Sequence, residues 1–149
     1  MNVLSSIVFF LLGFVGMEFF SWFIHKYIMH GPLWSIHKTH HTATKGFFEL
    51  NDVFSLIFGT AAVVLIILGV NSLDYRFWLG LGITAYGFSY FLLHDILIHR
   101  RIKSKQKPSG KYWNGIAKAH RDHHKSNQRD GSVSFGLLIV PFKYFSKRK

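Results

Sequence analysis

The sequence predicts an all-α integral membrane bundle with three spanning helices, room for a fourth partial one, and a histidine-rich cap built for two metals. Three observations lead there. Hydrophobic residues make up 49% of the 149 residues, with 16 Phe among them, and mean hydropathy is +0.19. Three apolar runs each come close to the ~20 helical residues that cross a bilayer's hydrocarbon core. All 10 histidines fall at or just beyond the ends of those runs. By length the whole chain, 1–149, is one membrane-embedded domain.

The first run extends from Val3 to about Ile24 and is interrupted only by Glu18. It has neither a basic leader nor a small-residue cleavage site, so it reads as a retained helix and not a signal peptide. The second run, Val53 to Val70, and the third, Phe77 to Leu93, carry no charge. A fourth stretch, Val133 to Phe142, is too short to span and contains Pro141, which suits an interfacial or re-entrant segment. Small residues of the third run (Gly80, Gly82, Ala85, Gly87, Ser89) suit close helix approach.

The formal net charge of +11 would suit a nucleic-acid binder, but three apolar spans do not. Its distribution is informative instead. Lys26, Lys38 and Lys45 lie between the first two runs, Arg76 stands alone between the next two, and the other basic residues follow His94. The positive-inside rule puts the first of these loops and the C-terminal tail in the cytoplasm. Every histidine then lies on that side. The tail residues Arg100, Arg101, Lys103, Lys105 and Lys107 are expected against anionic lipid heads. The chain has no cysteine, so a metal here must be held by nitrogen or oxygen.

The histidines form one two-part pattern, written twice. His25 and His30 make an H-x4-H, followed by His37, His40 and His41 as H-x2-H-H. His94 and His99 make the second H-x4-H, followed by His120, His123 and His124. On a helix, positions i, i+3 and i+4 fall within about 100° of one another, so each H-x2-H-H presents three imidazoles on one face. An i, i+5 pair is about 140° apart on an ideal α-helix, and both members reach one metal only where the helix kinks or ends. Gly31-Pro32 supplies such a stop after the first pair; nothing in Asp95 to Ile98 does so after the second. Eight to ten imidazoles exceed what one ion takes, so two metals are implied, and imidazole suits iron, zinc, copper or nickel.

Ligating imidazoles commonly donate their second N–H to a carboxylate, which singles out Asp122, Asp95, Glu49 and Asp52. Asn51 and Asp52 also stand where the second span needs an N-cap. Glu18, two turns before His25 and on its face, is a costly intramembrane carboxyl. It either supports the site or pairs at a helix interface. Phe54, Tyr86, Tyr90 and Phe91, with Phe47, Phe48 and Phe88, could line a hydrocarbon channel as readily as pack helices.

These histidine boxes resemble the fatty acid hydroxylase and sterol desaturase superfamily of membrane di-iron enzymes. The segments Met17 to His41, Lys45 to Asp52, Tyr90 to Arg101, Ala119 to Lys125 and Gly131 to Gly136 resemble its bacterial β-carotene hydroxylase family, from about Met17 to Pro141. The resemblance implies two non-haem irons held by the ten histidines. It further implies dioxygen as co-substrate, a ferredoxin-type electron donor, and hydroxylation of carbon 3 on the β-ionone ring of a carotenoid, β-carotene to β-cryptoxanthin to zeaxanthin. A C–H bond on a hydrocarbon ring has no acid–base handle, so the metals must supply the oxidant. Two other readings use the same features. One is a hydroxylase or desaturase for another lipid; the other is a histidine-rich metal transporter, which should carry ionisable residues across the midplane where the second and third runs have none.

Overall fold

A computed structural model of the chain describes residues 1–42, 46–102 and 108–146, and its regular elements are all helical. Lys45, Lys103, Lys105 and Lys107, which carry part of the expected basic asymmetry, lie outside the described residues. Helix α1 (Val3–Phe23) begins on Asn2, whose side chain accepts from the Ser5 N–H, and runs unbroken into a π-helical segment, Ile24–Met29. A short helix α2 (Trp34–His41) follows the Gly31-Pro32 turn. Helices α3 (Asp52–Gly69) and α4 (Tyr75–Tyr90) form a hairpin, with Asp74 capping α4 through the Arg76 N–H. The fourth helix continues into a second π-helical segment, Phe91–Ile98. Helix α5 (Lys111–His123) and a 3-10 turn (Phe142–Tyr144) complete the chain.

Three of these helices, Val3–Met29, Asp52–Gly69 and Tyr75–Ile98, are long and apolar enough to cross a membrane. Only 17% of the most apolar window of each is buried inside the protein. Leu4, Leu11, Phe19, Leu56, Ile67 and Phe88 instead point outward, an inside-out arrangement that makes sense only against lipid. At 1.5 Å per residue the first and third spans measure about 40 and 36 Å, longer than a hydrocarbon core of about 30 Å. The two H-x4-H pairs lie at the ends of these two spans.

Helix α4 is the centre of the bundle and packs against both α1 and α3. Gly13 and Gly82 make the α1 contact possible, because a Cβ on either would run into the other helix's backbone. Helices α1 and α3 touch much less, through contacts such as the edge-to-face pair Phe20–Phe58. The result is a cleft between them, floored by α4. Gly87, grouped above with the close-packing residues, faces open space.

The fourth apolar stretch makes no spanning helix among the described residues. After α5 the chain runs irregularly back to Glu18, where the Leu138 and Ile139 N–H groups donate to Oε1 at 2.9 and 2.8 Å. Glu18 is only 4% exposed, and its Oε2 accepts from the Tyr86 hydroxyl at 2.8 Å. Non-helical backbone at membrane depth must have its polar groups satisfied by protein. The carboxylate does that, and so ties α1, α4 and this irregular segment together.

Candidate metal centre

Each H-x4-H is solved by the same backbone device. In the π-helical segments the His30 N–H donates to the His25 carbonyl at 3.1 Å, and the His99 N–H to the His94 carbonyl at 2.8 Å. Bonding from i+5 to i brings the fifth residue round toward the first, so the 140° divergence of an α-helix narrows. The paired rings lie 5.3 Å apart in the first copy and 4.5 Å in the second. A helix stop is therefore not what unites either pair, and the second pair needs no breaker.

The ten histidines gather into two adjoining clusters. One holds His25, His30, His37, His41 and His123; the other holds His40, His94, His99 and His120. In each group the candidate ligand atoms lie within 4.8 Å of one another. His124 lies between the two, its ring 4.4 Å from His41 of the first and 4.5, 4.7 and 4.8 Å from His120, His40 and His99 of the second. Its Nε2 is buried without a hydrogen-bond partner among the described residues. The clusters do not follow the two sequence copies. The middle histidine of each H-x2-H-H crosses over, His40 to the second cluster and His123 to the first. Positions i+3 and i+4 diverge by about 100°, so the three rings expected on one face split between two centres.

The hydrogen bonds fix which nitrogen of each ring is free. The Nδ1 atoms of His25, His30, His41 and His123 lie 2.9–3.1 Å from the carbonyl oxygens of Phe135, Arg129, Ser126 and Val133. That of His37 meets Asn51 Oδ1 at 2.7 Å, that of His40 meets Glu49 at 2.9 Å, and that of His94 meets Asp95 at 2.7 Å. These oxygens only accept, so Nδ1 carries the proton and Nε2 of the neutral ring is a bare lone pair. Yet Nε2 atoms face each other at 3.1 Å (His25–His37), 3.2 Å (His30–His123), 3.2 Å (His37–His41) and 3.0 Å (His40–His94). Two lone pairs cannot hydrogen-bond. A metal–nitrogen bond of about 2.0–2.1 Å lets nitrogens about 3 Å apart share one ion, so this donor set fits metal.

Burial keeps the rings neutral. It lowers His41 and His99 to about 4 and His37 and His124 to about 2, and pushes His40, His120 and His123 well below the ordinary range. Neighbouring imidazoles add to this in most of them. An unfolded imidazole titrates near 6.5, so below that pH the unfolded chain takes up protons that the folded one refuses. Stability of the metal-free protein is full above about pH 6.5 and falls as pH drops toward 4 and beyond. Thermal unfolding of metal-stripped protein in detergent should show a lower midpoint at pH 5 than at pH 7.5. A midpoint independent of pH would contradict the burial argument.

The clusters differ in what stands behind them. The first leans on neutral groups, namely Asn51 and four carbonyls from the segment that follows α5. The second leans on Glu49 and Asp95, which Arg101 holds in place. Its guanidinium lies 2.9 Å from Glu49, 2.8 Å from Asp52 and 3.7 Å from Asp95, and is 11% exposed. Burial pushes the Glu49 carboxyl up, against the pull of Arg101.

Of the four expected carboxylate supports, Glu49 and Asp95 touch histidines. Asp52 instead binds Arg101 and the Glu49 N–H, and so acts one step removed. Asp122 touches no histidine among the described contacts: the 100° steps of α5 turn it outward, and its carboxylate pairs with Lys125 at 2.7 Å. Asn51 and Arg101 are corrections. Asn51 stands at the N-cap of α3 but makes no side-chain cap bond, and Arg101 is drawn in by three carboxylates instead of meeting lipid. Substituting Asn51 by Leu should weaken metal binding about 10–100-fold, read by chelator competition, with the fold retained.

A cavity of about 380 Å³ fills the cleft between α1 and α3 and ends on both clusters, at His25 and His37 of the first and His40 and His94 of the second. Phe54, Phe58, Tyr86, Tyr90 and Phe91 line it. Phe47, Phe48 and Phe88 do not, and are exposed.

Residues 10–145 match the fatty acid hydroxylase family. A β-carotene hydroxylase of Pantoea ananas is 42% identical over 127 residues, 85% of this chain and 73% of that protein. A second, from Paracoccus sp. (strain PC1), is 39% identical over 84% of this chain and 78% of its own length. The chloroplastic β-carotene 3-hydroxylase of an Oncidium hybrid cultivar is 38% identical over 84% of this chain and 42% of that longer protein. No solved structure gives a significant match. With three apolar spans, a duplicated polyhistidine centre and likeness over nearly its whole length, the chain belongs to the fatty acid hydroxylase family.

Proposed function

We propose that this protein is a β-carotene 3-hydroxylase that converts β-carotene to β-cryptoxanthin and then zeaxanthin at two non-haem irons. One iron takes His25, His30, His37, His41 and His123; the other takes His40, His94, His99, His120 and His124. Bound iron supplies the reductive activation of dioxygen that an unactivated C–H bond requires, with electrons from a ferredoxin-type donor. The observation that carries the reading is the apolar cavity ending on both histidine clusters, in a chain up to 42% identical to β-carotene hydroxylases.

The chain's own residues do the rest. The seven Nδ1 acceptors fix tautomers and aim the Nε2 lone pairs. The cleft between α1 and α3 admits a hydrocarbon from the bilayer, and the aromatic walls orient its ring and keep water away. At about 380 Å³ the cavity takes one ring and the adjoining chain, leaving the remainder of a long polyene in lipid. The histidine clusters and the C-terminal tail face the cytoplasm, following the basic residues.

Pigment analysis of β-carotene-accumulating cells expressing the protein, beside a His40→Ala control, tests this. Zeaxanthin and β-cryptoxanthin should appear only with the intact protein. Unchanged β-carotene with iron bound would reassign the substrate to another lipid. Unchanged β-carotene without bound iron would sink the metal centre itself.

A further inference from the structure

Two tyrosines of α4 line the cavity, and only one has its hydroxyl committed to the fold. Tyr86 donates to Glu18 at 2.8 Å. Tyr90, one turn nearer the histidines, has its hydroxyl 3.2 Å from His94 Nε2. Because the His94 Nδ1 proton is held by Asp95, the phenol is the donor in that contact. The same Nε2 lies 3.0 Å from His40 Nε2 and belongs to the second cluster. A metal ion there takes the lone pair that Tyr90 uses.

The phenol then needs a new acceptor, since a buried hydroxyl without one is costly. Ring geometry says where it looks. Tyr90 stacks on His94 with centroids 4.3 Å apart and planes 27° from parallel. The phenol ring therefore covers the imidazole face, and its hydroxyl reaches the Nε2 edge. Tyr90 and His94 both line the cavity, so the hydroxyl stands where the cavity meets the second cluster. It stands at the cluster whose imidazoles are backed by Glu49 and Asp95, carboxylates that raise ligand basicity.

We propose that Tyr90 is a catalytic residue of the second cluster, donating its O–H hydrogen bond to dioxygen held between that cluster and the substrate carbon. The proposal rests on the two-metal reading above. Tyr90 keeps its proton and acts as a fixed donor aimed where negative charge develops, the arrangement that stabilises anionic states in a dry site.

Azide, a small anionic stand-in for the co-substrate, provides the test. Purified cobalt(II)- or iron-loaded protein is titrated with azide and followed by absorption, with metal content measured on the same samples. Tyr90→Phe should hold two metals and bind azide about tenfold more weakly, the loss of one charge-assisted hydrogen bond. Electrons consumed per hydroxyl formed should rise in the same variant. Tyr86→Phe, which removes a hydroxyl from the same cavity but one committed to Glu18, should leave azide affinity within about twofold. Equal affinity in wild type and Tyr90→Phe, or an equal loss in Tyr86→Phe, overturns the proposal. So does a Tyr90→Phe protein short of one metal, which would make Tyr90 part of the ion's support. A wild-type protein that never binds two metals overturns the underlying reading instead.

Discussion

Replacing His37 and His40 together by Ala is expected to remove both metals and all product, whereas replacing His37 and His123 removes only one metal. The first pair comes from a single H-x2-H-H on α2, yet its members sit in different clusters; the second pair comes from different copies and shares one. Losing a direct ligand should cost at least the 10–100-fold in affinity seen for outer partners, so dialysed protein should retain about one metal in the His37/His123 variant and about none in the other. Metal analysis reads this directly. If the centres followed the sequence copies, the two double variants would exchange behaviours. On the two-iron reading activity does not discriminate, because either loss disables the centre.

Glu18→Ala is expected to destabilise the protein by about 3 kcal/mol or more. Three donors lose their acceptor, the Leu138 and Ile139 N–H groups and the Tyr86 hydroxyl, and each unsatisfied buried donor costs about 1–3 kcal/mol. For a chain of this size that lowers the thermal midpoint by about 6 °C or more. The consequence reaches the metal centre, because the freed segment also carries Phe135, whose carbonyl fixes the His25 tautomer. Tyr86→Phe removes one donor and leaves both backbone groups bonded, so it should cost much less. Thermal unfolding in detergent, with metal content before and after, measures both variants. A Glu18→Ala protein as stable as wild type, with two metals bound, would mean that the irregular segment holds itself in place.

The histidine spacing carried most of the centre in readable form, because ligands are side chains and a helix converts spacing into direction. Three apolar runs likewise disclosed three spans, since length and polarity decide what crosses a bilayer. Glu18 stood out for the same reason, as a charge where hydrocarbon should be. Its partners did not, because two are backbone N–H groups more than a hundred residues away and the third, Tyr86, is on another helix. The supports of the first cluster were equally hidden: Ser126, Arg129, Val133 and Phe135 act through carbonyls that every residue possesses, so no residue type marks them. Arg101 looked like one more cation in a basic tail until Glu49 and Asp52 from one segment and Asp95 from another converged on it.

By itself, then, the sequence determined the helical membrane class and the duplicated pattern of ten histidines, and with it the expectation of two ions, all from residue type and local period. Tertiary structure alone decided the crossover of His40 and His123 and the division of support between carbonyls and carboxylates. Each of those depends on a few tens of degrees of helix rotation and on contacts between distant segments, which spacing along a single chain does not encode.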